Sequence, residues 1–440
     1  MKNLKSENGS ITSLVIVTVL FFVTILSTSY MVVNALRKSQ LKSQINAKDV
    51  YERDLKRVDE IVAEIENRKN QVWPEPKEEN ETINGEVGNA YNPTIPAGYI
   101  PINTDSSKWG DGTTTPTTDA VDYGLVIKDK KDNEWVWIPV PDVTVMCDTS
   151  NTNEYTLCGT TGETAVKTKL YSKSITIGTD SNKTTMTRTT PGTSDDYREP
   201  DLVVGSDGVG LDAKDTYYKT ILGETGTKEQ LAQLFVDEYK AMIESVSKYG
   251  GFYIGRYELS GTVTEPTEKP GKTLTKTDWY NLYNACRSSK LQASDKVKTQ
   301  MIWGCQWDVT MNWLISSGAK TSDEVNKDSS TWGNYKNYNT ANNYTEGTAG
   351  YEKNAGSLQN TGSSENWKAN NIYDLAGNVW EWTQEAFNTR FRASRGGNYD
   401  VYGSTYAASY RIHFYPGVSD SDGVRFSSHF NNKVALNARA

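Results

Sequence analysis

Cysteine is scarce in this 440-residue chain and stops early: Cys147, Cys158, Cys286 and Cys305 are the four, and none follows. No two form a C-x-x-C pair, which removes zinc ribbons and thioredoxin-like redox chemistry. Cys147 and Cys158 bracket a short polar stretch. In an extracellular setting a loop-closing disulfide between them is one expectation, and two unpaired small residues are the other. Histidine is scarcer still, with only His413 and His429, too few for a multi-histidine metal centre. A basic excess is also missing: the net charge is −8, so a nucleic-acid partner is not expected. No internal repeat is present.

A further absence is local. From Asn398 to Asn432 there is no Lys, Glu, Gln, Trp or Met, although these types make up about a fifth of the chain. Drawing 35 such residues independently would leave that gap roughly once in a few thousand trials. What remains is Tyr, Ser, Asp, Gly, Val, Asn, Ala, His, Phe, Ile and Arg, with one Thr and one Pro. That palette resembles antibody binding loops, where Tyr gives rigid contact area and Ser, Gly and Asn give adaptable hydrogen bonds. Across the whole chain Tyr (26) and Trp (12) outnumber Phe (9), as on binding surfaces or on aromatic strands of a β-rich core.

The chain reads in five parts. Residues 1–10 are a short tail. Residues 11–36 carry no charge and are long enough for a helix to cross a bilayer, either as an uncleaved anchor or as a signal peptide cut near Val33-Asn34-Ala35. The flanking charges, Lys2 and Lys5 before and Arg37, Lys38 and Lys42 after, would by count alone leave the bulk in the cytoplasm. The character of the folded part argues instead for a single-pass membrane protein with its C-terminal domain outside. Residues 37–74 read as a stalk helix with apolar positions at Tyr51, Leu55, Val58, Val62 and Ile65. That seam fits either self-association or a solvated stalk. Residues 75–95 read as a linker.

Residues 96–432 form the expected globular domain. Tyr123–Lys128 and Trp135–Pro139, around a polar turn, predict a β-hairpin. Residues 142–226 read as loops and short strands. Leu231, Leu234, Phe235, Tyr239, Met242, Ile243 and Val246 predict a helix over 228–249, stopped by Gly250-Gly251. A strand over 252–258, helices over 277–288 and 309–316, and a loop over 317–362 follow.

The C-terminal third holds three motifs: Asn371-Ile-Tyr-Asp-Leu-Ala-Gly-Asn-Val-Trp-Glu-Trp-Thr383, Arg395-Gly-Gly-Asn-Tyr399 and Gly423-Val-Arg-Phe426. In this order and spacing they resemble the formylglycine-generating-enzyme, or sulfatase-modifying-factor, family. The resemblance implies an α+β, C-type-lectin-like fold. Enzymes of that family use two cysteines after the Gly-Gly motif, and Val401 and Tyr406 hold those places here. Neither side chain can replace a thiolate, so no enzyme activity is expected. The family also implies a structural calcium near Asn378 and Glu381. The alternative there is tryptophan packing with local pairing of Glu381.

The segment after Asn398 also resembles the variable region of receptors diversified by retroelements, in which asparagine codons mutated at adenine never yield Lys, Glu, Gln, Trp or Met. Asp400, Val401, Tyr402, Thr405, Tyr406, Ile412, His413, Phe414, Tyr415, Val418, Asp420 and Asp422 fit that set. Arg395, Gly396, Gly397, Tyr410, Arg411, Gly423 and Arg425 read as the fixed frame between them. The resemblance implies a surface-displayed binder of an external protein or glycan. A fixed binding module, a degenerate enzyme of the same family and a pilus-like structural subunit are the alternatives. The last draws on Glu7-Asn8-Gly9-Ser10, which is similar to a prepilin leader, although Leu14 stands where such leaders carry glutamate.

Overall fold

A computed structural model of the chain describes residues 88–102, 121, 124–146, 154–161, 164–169, 174–177, 184–187, 218–386, 391–417, 430–431 and 434–438. The tail, the apolar segment 11–36, the stalk 37–74 and most of the linker lie outside the described residues. No described helix is long and apolar enough to cross a membrane. The chain divides into two compact units, residues 1–72 with 345–351, and residues 73–344 with 352–440. The account below concerns the second.

Among the described residues that unit has a six-stranded and a four-stranded sheet beside four two-stranded ones, and mixes helix with strand. A six-stranded sheet runs Tyr99–Ile102, Val126–Asp129, Glu134–Pro139, Gly251–Gly255, Val434–Ala438, Val297–Met301. Every neighbouring pair in it is antiparallel. The hairpin expected around residues 123–139 forms its second and third strands. A four-stranded sheet runs Arg411–Phe414, Arg392–Arg395, Trp380–Ala386, Phe430–Asn431, with only the last pair parallel.

The helices follow their local chemistry. Lys228–Tyr249 starts at a capping box, in which Thr227 Oγ1 accepts from Gln230 N and Gln230 Oε1 accepts from Thr227 N. It ends at Gly250 in the left-handed region. Its buried stripe is Leu231, Phe235, Tyr239, Met242, Ile243 and Val246. Trp279–Cys286 is capped by Asp278, whose carboxylate accepts from Asn281 N at 2.8 Å. The next helix is Gly304–Ser316, five residues longer at its start than the 309–316 that periodicity predicts. From Gly304 to Met311 every residue is buried, so no polar face exists to reveal the helical period.

The fold also reaches beyond the boundaries read from composition. Residues 88–95 belong to it rather than to a linker: Ala90, Asn92, Thr94 and Ile95 are buried. Trp137 Nε1 donates to Ala90 O at 3.0 Å and Tyr253 Oη donates to Thr94 O at 2.9 Å. The asparagine and glycine there serve turns, with Asn89 and Asn92 exchanging backbone hydrogen bonds. At the other end, Val434–Ala438 lies past residue 432 yet sits inside the six-stranded sheet. The core between these elements is aromatic, with Trp135, Trp137, Trp279, Trp303, Trp307 and Trp382 essentially without solvent contact.

Candidate functional site

Strands Arg392–Arg395 and Arg411–Phe414 pair in antiparallel register, Arg395 opposite Arg411, and the loop 396–410 joins them. Gly396 and Gly397 open it with φ of 89° and 80°. A side chain at Gly397 would place its Cβ 2.7 Å from both the Tyr335 ring and Tyr406 O. Asn398 Oδ1 then accepts from Asp400 N at 3.0 Å, and Tyr399 N donates to Asn378 O at 3.0 Å. These contacts turn the chain onto the segment 325–337.

That segment holds the loop by its main chain. Lys336 N donates to Val401 O at 3.0 Å, and Ser329 N to Gly403 O at 3.2 Å. Ser409 N donates to Val325 O at 3.2 Å. Ser329 Oγ accepts from Ala408 N at 2.9 Å, and Trp307 Nε1 donates to Ala408 O at 3.1 Å. The Tyr335 hydroxyl lies 2.7 Å from Gly396 O and 2.9 Å from Tyr406 O, and shares its proton between them. Burial is the main cause that pushes the Tyr335 phenol well above its ordinary value, and the charge of Glu381 adds to it. The hydroxyl therefore stays a donor. None of these bonds uses a side-chain atom of Asp400, Val401, Tyr402, Thr405 or Tyr406.

The twelve residues singled out by composition fall into three groups. Asp400, Tyr402 and Thr405 are exposed, Tyr402 by 51%. Asp400 pairs with Lys336 Nζ at 3.4 Å, both side chains being largely exposed. Val401, Tyr406, Ile412, His413, Phe414 and Tyr415 are half-buried. Val418, Asp420 and Asp422 lie outside the described residues. The half-burial differs from a fully exposed face and has a local reason. Arg411–Phe414 is an edge strand, and alternation lays Ile412 opposite Ser394 and Phe414 opposite Arg392. Phe414 meets the rings of Trp380 and Trp382 at centroid distances of 6.4 and 6.2 Å. Tyr406 stands edge-on to Trp380 at 5.5 Å and to Tyr410 at 4.9 Å. The Tyr410 phenol is pushed up by burial first and by Tyr406 second. His413 packs against Phe391 at 5.3 Å.

The result is a surface with exposed polar tips over a half-buried aromatic row, with buried Trp380 and Trp382 beneath. Lys336, Ser329 and Tyr335 do not stand out in the sequence. They lie in a stretch that reads as loop and carries no period. One signal within it was available: Thr321-Ser-Asp-Glu324 is a capping box, and it starts the helix Ser322–Asn326.

The metal and cysteine expectations can be set against the same geometry. Asn378 Oδ1 accepts from Asn334 Nδ2 at 3.0 Å and from Gln359 N at 3.1 Å. Its Nδ2 donates to Glu258 Oε2 at 2.6 Å. Both lone pairs of the amide oxygen are engaged, so Asn378 as arranged does not fit a calcium ligand. Glu381 is fully buried under Gly396. Among the described residues no group of three or more His, Cys, Asp or Glu is placed to hold a metal ion. Cys286 and Cys305 are buried. Cys147 lies outside the described residues, and of Cys158 only the backbone is described, in strand Glu154–Thr161.

Residues 304–427 match the family described as the sulfatase-modifying factor enzyme 1-like domain. The match spans all three motifs, and the resemblance they carry is thereby shown over that stretch, less than a third of the chain. No curated protein matches the sequence. Among solved structures, Treponema denticola variable protein 1 is similar at 14% identity and a TM-score of 0.25, covering 43% of this chain and 85% of its own. A likeness that distant carries no inference about ligand or partner.

Proposed function

We propose that this chain is a non-catalytic, surface-displayed receptor that binds an external protein or glycan through side chains between Asp400 and Asp422. The observation that supports this most directly is the division of labour in the loop 396–410. Its course is held by main-chain atoms and by residues of other segments, while Asp400, Tyr402 and Thr405 project into solvent. A loop held in this way can change those side chains without changing its path. The compositional gap from Asn398 to Asn432 fits such change, and a template repeat beside a reverse-transcriptase gene in the surrounding DNA would be its source. Residues 11–36 anchor the chain in the membrane with the C-terminal domain outside, and 37–74 form the stalk, through which copies self-associate.

The test is a display screen for ligands of the full chain, followed by substitution. Replacing Asp400, Tyr402 and Thr405 together should weaken a recovered ligand by about 30-fold or more, since aromatic anchors commonly carry about 2 kcal/mol each. Unchanged affinity would place binding elsewhere. A sulfatase-type cysteine peptide, with or without copper, should not be oxidised. Copper-dependent turnover would favour the enzyme reading instead.

A further inference from the structure

An arginine stands at each end of the loop 396–410. Arg395 ends one strand, Arg411 begins the next, and the two are directly opposed in the ladder. Like charges in that position repel. Both side chains nevertheless have 0% exposure. Asp308, in the second turn of helix Gly304–Ser316, lies between them. Its Oδ1 accepts from Arg395 Nη2, and its Oδ2 accepts from Arg411 Nη2 at 2.7 Å. Glu385, from strand Trp380–Ala386, closes the ring: its Oε2 accepts from Arg411 Nε at 2.7 Å and lies 3.7 Å from Arg395 Nη1. Two cations and two anions leave the cluster without net charge.

We propose that Asp308 is the positioning residue of the binding surface, with its two carboxylate oxygens divided between Arg395 and Arg411 so that the loop's ends keep a fixed separation. A buried ion cluster adds little net stability over apolar residues of equal volume, so its consequence is geometric. The guanidinium forks are planar and directional, and one oxygen for each leaves little freedom in how the ends sit. The neighbouring residue acts on the same loop, because Trp307 Nε1 holds Ala408 O. Two consecutive helix residues thus grip both ends and the returning limb. The inference rests on the preceding section for the loop's purpose alone; the grip itself involves no ligand.

Hydrogen exchange on the full chain tests it. In Asp308→Asn, the amides of Tyr399, Asp400, Thr405, Tyr406, Ala408 and Ser409 should exchange at least about tenfold faster, reporting local opening. Amides of Val126–Asp129 and Gly251–Gly255 should change by less than about twofold. Equal acceleration in loop and sheet, or an unchanged loop, would overturn the proposal. Should Asp308→Asn fail to fold, Arg411→Lys gives the same comparison. It keeps the charge, but an ammonium cannot serve Asp308 and Glu385 in the guanidinium's fork geometry. The same local pattern is expected, and a uniform change refutes the role. Tyr402→Ser should leave loop exchange as it is. Because the readout needs no ligand, failure of the clasp leaves the binding proposal standing, and absence of a ligand leaves the clasp standing.

Discussion

Three substitutions along one line from solvent to core should give three different stabilities. Tyr402 is 51% exposed, and the loop's bonds to it are to its carbonyl, which accepts from Thr405 N and Tyr406 N at 3.0 Å. Tyr402→Ser keeps both, so the cost should stay within about 0.5 kcal/mol. Tyr406 is half-buried, edge-on to Trp380 and Tyr410. Aromatic pairs contribute about 0.5–1.5 kcal/mol each beyond area burial. With part of the apolar area lost as well, Tyr406→Ser should cost about 1–3 kcal/mol. Trp380 is 4% exposed, and its ring meets Tyr406, Tyr410 and Phe414. Trp380→Ala opens a cavity and should cost about 3–5 kcal/mol. Urea denaturation with equal slopes across the set gives the differences directly. If Tyr402→Ser unfolds as readily as Trp380→Ala, position 402 is structural and its side chain is not there for a ligand.

Two further outcomes follow from the same site. Tyr335→Phe keeps the ring but removes the hydroxyl that donates to Tyr406 O, while Gly396 O keeps the bond from Gly377 N at 2.8 Å, and should cost about 1–3 kcal/mol in the same denaturation assay. Because burial raises the Tyr335 phenol, its contribution is whole below the unfolded value of about 10 and is lost as pH rises beyond it. The wild type should therefore lose stability more steeply than Tyr335→Phe above that pH. Calcium added in millimolar excess, or removed by a chelator, should leave the unfolding midpoint unchanged, since the Asn378 oxygen is already engaged; a calcium-dependent rise would show that its hydrogen bonds rearrange.

What the sequence revealed depended on how local each signal is. The helix Lys228–Tyr249 was legible because its caps and buried stripe all lie within the helix or beside it. The three motifs were legible because tight turns demand Gly and Asn at fixed places, as at Gly377, Asn378, Gly396 and Gly397, all with positive φ. The start of Gly304–Ser316 was not, since burial on every side erases periodicity. The half-burial of Tyr406 and Phe414 depends on which face of an edge strand meets Trp380, and one-dimensional composition treats all tyrosines alike. The cluster of Asp308, Glu385, Arg395 and Arg411 joins residues up to 103 positions apart, and nothing in the spacing announces it.

The place of Val434–Ala438 bears on which products of the gene can fold at all. This last strand sits between Gly251–Gly255 and Val297–Met301, pairing with both. A product cut short or shifted out of frame anywhere in 398–432 lacks it. The two partner strands are then left with open, hydrogen-bond-hungry edges. Such products would be prone to aggregation and degradation. The strand thus acts as a check placed downstream of 398–432: only a reading frame carried intact through that segment supplies the piece that closes the sheet.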